Sequence, residues 1–203
     1  MNILILIPAL LIFLYIIYKI VKDDYVFIRR NISLEQTFDI ALIVVLICLI
    51  FSRFSFVECF ISGIVVLYLI GRYKKIPLGR LYDFFTLAFI TALPIGYIGY
   101  AILFKNYLIL YSVNAFLYFV FAFFAWRFVY PQLMSRELKE GSLNIIFLIF
   151  FCFVSFVNGI ILYQSGKFVL ITSGNILLIL LFIFSLGLFF KQAKIGFTNK
   201  KRV

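Results

Sequence analysis

The sequence predicts an all-α integral membrane protein of about seven transmembrane helices. Of 203 residues, 66% are hydrophobic and only 13% are charged, against roughly half apolar and a quarter charged in an average soluble domain. The apolar residues also gather in runs close to the ~20 residues that a membrane-crossing helix needs. The placement of lysine and arginine between those runs then sets their number and direction. No Ser/Gly-rich linker, low-complexity tract or acidic tail interrupts the pattern. Residues 1–190 therefore read as a single seven-helix membrane domain and 191–203 as a basic cytoplasmic tail.

In order along the chain, the clear runs are Ile3 to Ile20, Phe38 to Phe56, Phe84 to Phe104, Tyr107 to Tyr130, Leu143 to Tyr163 and Phe168 to Phe190. A shorter run, from about Val57 to Gly71, carries Glu58 at its start, and by hydropathy alone it reads equally as a re-entrant piece. Cations decide the matter, because lysine and arginine accumulate in cytoplasmic loops. With seven spans, one side receives Lys19, Lys22, Arg29, Arg30, then Arg72, Lys74, Lys75, Arg80, then Arg127, Arg136, Lys139, and last Lys191, Lys194, Lys200, Lys201 and Arg202. The other side receives Arg53, Lys105 and Lys167, a split of sixteen to three. Six spans would scatter the Arg72 to Arg80 cluster to the outer side. The predicted topology is thus seven spans with the amino terminus outside and the carboxyl terminus cytoplasmic. The first run has no basic segment ahead of it and no small-residue cleavage site, so it reads as an uncleaved span.

The net charge of +11 is spread between apolar runs rather than gathered into a stripe that would follow phosphates, which argues against nucleic acid and for anionic lipid head groups. Cys48, Cys59 and Cys152 lie in or beside apolar runs without CxxC spacing, and the chain has no histidine. No metal site and no cofactor is expected, and the cysteines read as small hydrophobic residues.

Ionisable groups at membrane depth are functional candidates. Asp39, Arg53, Glu58 and Asp83 all fall near the ends of runs, where snorkelling or helix-end placement is the plainer reading. Asp39 and Asp83 suit the positive end of a helix dipole if their helices start there. Arg53 and Glu58 flank a turn on the outer side. Together they read either as a site, with Arg53 offering its donors to a phosphate and Glu58 accepting a proton, or as an ion pair closing that turn. In the fourth run, Pro94 predicts a kink, while Gly96 and Gly99 would admit a neighbouring backbone. A pocket wall is expected there, including Tyr97 and Tyr100. Asn114, Ser155 and Asn158, in the next two runs, read as interhelical hydrogen bonds or as ligand contacts.

The order of these features resembles the bacterial prolipoprotein diacylglyceryl transferases. The stretch from Phe38-Asp39-Ile40 to Ser52-Arg53-Phe54 resembles that family's second span. Arg72-Tyr73-Lys74-Lys75-Ile76-Pro77 with Leu81-Tyr82-Asp83 resembles its basic loop, Pro94-Ile95-Gly96-Tyr97-Ile98-Gly99 the start of its signature, and Gly141 with the following span its penultimate helix. The signature's arginine and asparagine positions hold Tyr97 and Tyr100, Ser155 and Asn158 stand where an arginine and an acidic residue are expected, and a His-Gly-Gly stretch is absent. The resemblance implies a multi-pass protein of the bacterial cytoplasmic (inner) membrane that moves diacylglyceryl from phosphatidylglycerol to the cysteine of a lipoprotein precursor, or a degenerate relative of such an enzyme. Arg53 and Glu58 would be its catalytic pair, and Pro94, Gly96, Tyr97, Gly99, Tyr100, Ser155 and Asn158 its lipid pocket. The alternatives are a non-catalytic phospholipid-binding or assembly protein and, third, a small transporter subunit.

Overall fold

The computed structural model describes residues 3–24, 27–28, 32–51, 56–135, 137–164 and 173–200, and every described regular element is helical. The helices are α1 (Ile3–Asp23), α2 (Leu34–Phe51), α3 (Phe56–Tyr73), α4 (Leu78–Leu103), α5 (Leu108–Phe124), α6 (Tyr130–Met134), α7 (Ser142–Gln164) and α8 (Ser173–Lys200). A 3₁₀ turn at Lys105–Tyr107 leads into α5, and a π turn at Ala125–Val129 joins α5 to α6. Each apolar run of the sequence falls largely on one of these helical stretches. Three stretches, Leu78–Leu103, Lys105–Met134 and Ser142–Ile161, are long and apolar enough to cross a membrane. α8 continues as a helix to Lys200, through much of the segment expected to be a tail.

Local chemistry explains several boundaries. Ser33 opens α2 by accepting the Gln36 N–H at its Oγ, 3.1 Å away, so the helix starts before the first strongly apolar residues. α3 ends in a two-bond Schellman closure, with the N–H of Ile76 on the Gly71 carbonyl at 2.9 Å and that of Lys75 on Arg72 at 3.3 Å. Lys75 takes the left-handed conformation this closure needs, at φ 56°. Pro77 follows in extended conformation and α4 begins at once, making a tight α3–α4 hairpin. Pro131 lacks an N–H and its ring collides with the carbonyl four residues back; the π turn immediately before it widens the backbone at that point.

α4 is the central helix. It packs against α1, α3, α5 and α7, while α2 lies between α1 and α3, and α8 touches both α7 and α3. The core runs along α4, with Leu81, Phe84, Leu87, Ala88 and Ile90 meeting Ile17 and Ile20 of α1 and Phe147 and Phe151 of α7. Outward faces are also apolar: Ile109 is 80% exposed and Phe116 65%. Large apolar side chains stacked side by side on the outside are costly in water and favourable in lipid.

Candidate functional site

Two groups of side chains carry polar chemistry, one near each end of α4. Arg80 and Tyr100 are twenty residues apart on that helix, roughly 30 Å at 1.5 Å per residue.

At the first end, α4 begins with Gly79, Arg80 and Asp83, and these residues grip the segment between α6 and α7. Arg80 is 4% exposed and its partner Asp24, just past the end of α1, is fully buried. The Nε and Nη2 of Arg80 donate to the same Asp24 oxygen at 3.0 and 2.7 Å. Its Nη1 donates to the Leu133 carbonyl at 2.8 Å, and its Nη2 lies 3.2 Å from the Met134 sulfur. The other Asp24 oxygen accepts the Phe27 N–H at 3.0 Å. Phe84 supplies a ring beneath the guanidinium, 5.3 Å from its centre, and Phe27 meets that ring edge-on. Leu133 is among the last residues of α6, whose carbonyls have no partner within the helix, so Arg80 caps a helix that belongs to another part of the chain.

Three residues on, Asp83 does the converse for α7. One of its oxygens accepts the Gly141 N–H at 2.6 Å and the other the Asn144 N–H at 3.1 Å. These N–H groups stand at the start of α7, where a negative charge also suits the helix dipole. Thr86, one turn further, donates to the Asn144 side-chain oxygen at 2.9 Å. Gly79 makes the approach close, because a Cβ there would come within 2.8 to 3.0 Å of Glu140 atoms, its backbone included. Gly141 turns the chain into α7 at φ 89°. One turn of α4 thus places a cation on the carboxyl end of α6 and an anion on the amino end of α7.

This arrangement corrects two expectations. Arg80 is a buried residue of α4 rather than a loop cation, since its charge is fully paired. Neither Asp39 nor Asp83 stands in the first turn of its helix: α2 begins at Leu34 and α4 at Leu78. Asp39 is exposed, and Asp83 serves the dipole of α7 instead of its own. Asp24 attracted no notice in the sequence. Its local role is N-cap-like, accepting the N–H of Phe27 three residues on.

At the other end, α5 and α7 border a groove. They meet near Phe121 and Phe150, whose rings stack at 4.4 Å. Between them lies a groove of about 520 Å³, lined by apolar side chains such as Leu110, Val113, Leu117, Phe153 and Val157. Asn114 and Asn158 bridge it, the Asn158 amide donating to Asn114 Oδ1 at 3.1 Å. The mouth is formed by Lys105, Asn106 and Tyr107, and no acidic residue lines it. Beside it, Tyr97 stacks on the buried Tyr118 at 5.3 Å, and Tyr100 and Tyr111 extend the aromatic group.

Among the residues expected in a pocket, Asn158 lines this groove, whereas Pro94, Gly96, Tyr97, Gly99, Tyr100 and Ser155 are not among its walls. Pro94 is buried inside a continuous α4, and Gly96 has open space where a Cβ would stand, with no backbone near it. Tyr97 and Tyr100 pack on α5, so their rings fill what the sequence suggested as a wall. Arg53 lies outside the described residues, as does the side chain of Glu58. Among the described residues, no group of His, Cys, Asp and Glu is arranged to hold a metal. No family model, curated protein or solved structure matches the chain.

Proposed function

We propose that the chain is a multi-pass protein of the bacterial cytoplasmic membrane, with seven helical spans over residues 1–190, that recognises an anionic phospholipid. The amino terminus is outside, and the carboxyl terminus with its basic segment 191–203 is cytoplasmic. The observation that carries this reading is the distribution of charge about α4. Lys22, Arg72, Lys74, Lys75, Arg127 and Lys139 are exposed in the segments around its Arg80 end, while Lys105 stands alone among described cations at the end where α4 meets α5. The separation of roughly 30 Å between the two ends matches a hydrocarbon core, and the cation-rich end suits an anionic cytoplasmic leaflet.

The test is site-directed labelling in whole cells with a membrane-impermeant maleimide, after replacing Cys48, Cys59 and Cys152 with Ala or Ser. Lys105→Cys is expected to react in intact cells, and Lys75→Cys only after permeabilisation. Equal labelling of both in intact cells overturns the topology.

The resemblance to prolipoprotein diacylglyceryl transferases supports a second reading, in which the bound lipid is phosphatidylglycerol and the acceptor a lipoprotein precursor cysteine. Arg53 would stabilise the departing glycerol phosphate and Glu58 would take the thiol proton. Purified protein in phosphatidylglycerol bilayers is expected to transfer diacylglyceryl to a lipobox peptide, and Arg53→Ala to abolish it. Lipid binding without transfer leaves the phospholipid-binding reading standing alone.

A further inference from the structure

We propose that the groove between α5 and α7 holds one acyl chain of an anionic phospholipid, with the phosphate at Lys105. The inference rests on the membrane reading above and gives it a site. Three observations support it. The first is geometric: α5 and α7 touch through Phe121 and Phe150 and through Asn114 and Asn158, and beside these contacts they leave an apolar slot that runs to Lys105. The second is size. The slot measures about 520 Å³, within the roughly 300–1,000 Å³ of small-molecule sites. A single alkyl chain is a ligand of that size class.

The third is charge. Lys105 is exposed at the mouth beside Asn106 and Tyr107, no carboxylate faces it from the lining, and the amino end of α5 has no side-chain cap. An anionic head group meets a cation and a hydrogen-bonding side chain there. Residues flanking the slot, including Ile109, Phe116 and Phe153, are exposed and apolar, so the slot opens sideways to the hydrocarbon from which a chain would enter. The Asn114–Asn158 bond pairs one amide donor with one amide acceptor across the slot, which lowers the cost of polar side chains in an apolar setting.

The experiment uses the whole protein in phosphatidylcholine bilayers containing a phosphatidylglycerol probe with a photoreactive group on one acyl chain; cross-linked residues are mapped by mass spectrometry. Cross-links are expected to concentrate on Val113, Leu117, Val154 and Val157. Val113→Trp, which fills the slot from an exposed position, should remove most of them while leaving those on Phe119 and Phe123. Lys105→Glu should lower groove labelling about fivefold, and the preference over a matched phosphatidylcholine probe with it. Labelling spread evenly over the outward faces, unchanged by Val113→Trp, overturns the site while the membrane reading survives. Groove labelling indifferent to Lys105→Glu and to the head group overturns the assignment of the phosphate. A disulfide between two copies carrying Val113→Cys, with the native cysteines replaced, would make the groove a contact between protomers and likewise overturn it. No labelling anywhere would count against the membrane reading itself.

Discussion

The two ends of α4 solve opposite problems. At the Arg80 end, the ionic groups of α4 are buried and held by several partners: Arg80 by Asp24 and Leu133, Asp83 by two backbone N–H groups. At the Lys105 end, the cation is exposed, a groove lies between the neighbouring helices, and a pair of neutral amides bridges it. The first end is built for a single geometry, because moving any one element would strip a buried charge of its partner. The second is held by weaker, non-directional contacts of about 0.1–0.2 kcal/mol per atom pair and by a neutral amide bond.

The largest effect expected from breaking this contrast is at the ion pair. Arg80→Ala leaves Asp24 buried beside an empty space, and Asp24→Ala does the same to Arg80. Removing one partner of a buried pair typically costs about 3–5 kcal/mol, enough to abolish a folded peak in detergent size-exclusion chromatography. The double variant Asp24→Leu with Arg80→Met removes both charges and should recover a folded peak that neither alanine variant gives. Equal loss in the double variant would show that the Leu133 contact, and not the ion pair, carries the effect.

Asp83 comes next. Asp83→Asn keeps the shape and one acceptor oxygen, so one of the two N–H groups at the start of α7 loses its partner. A buried donor left unsatisfied costs about 1–3 kcal/mol. The expected result is a lower melting temperature in detergent together with faster amide exchange at Gly141 or Asn144. Intact exchange protection there would mean that water or another residue substitutes for the carboxylate.

The glycines extend the same comparison. Gly79→Ala puts a methyl group within 2.8 Å of Glu140, and with backbone in the way the helix must shift, at about 1–3 kcal/mol for an overpacked contact. Gly96→Ala meets open space and replaces a flexible residue inside a helix, which should stabilise by roughly 0.5–1 kcal/mol. Opposite signs in thermal melts of two Gly→Ala changes on one helix would locate the rigid end. A loss at Gly96 as large as that at Gly79 would mean that the Lys105 end is packed as tightly.

The helices were legible because long apolar runs leave few other options, but their starts were not. α4 begins six residues before Phe84 and α2 four before Phe38. Arg80 and Asp83 look like loop residues to any reading based on solvation, and Glu35, Gln36 and Thr37 make a polar first turn behind the Ser33 cap. Asp24 and Arg80 are 56 residues apart, a separation at which nothing local couples a carboxylate to a guanidinium. The groove carries a weaker signal. Pro94, Gly96 and Gly99 draw attention to α4, whereas α4 is continuous through Pro94 and the groove lies between α5 and α7, whose stretches beside it carry no proline. Asn114 and Asn158 are the residues of the expected set that line it.

The smallest expected effect tests those asparagines. Asn158→Leu removes one hydrogen bond and adds apolar volume to the groove, leaving Asn114 to face its lining alone. Interhelical hydrogen bonds of this kind average about 0.6 kcal/mol, so the melting temperature should fall only slightly, far less than for Arg80→Ala. The informative measurement is the spacing of α5 and α7, read from spin labels on Leu108 and Ile161 by electron paramagnetic resonance. If the amide bridge sets the width of the gap, the distance distribution should broaden or shift in Asn158→Leu with little change in stability. If stability falls steeply while the spacing holds, the bridge is part of the rigid framework and the contrast between the two ends of α4 is lost.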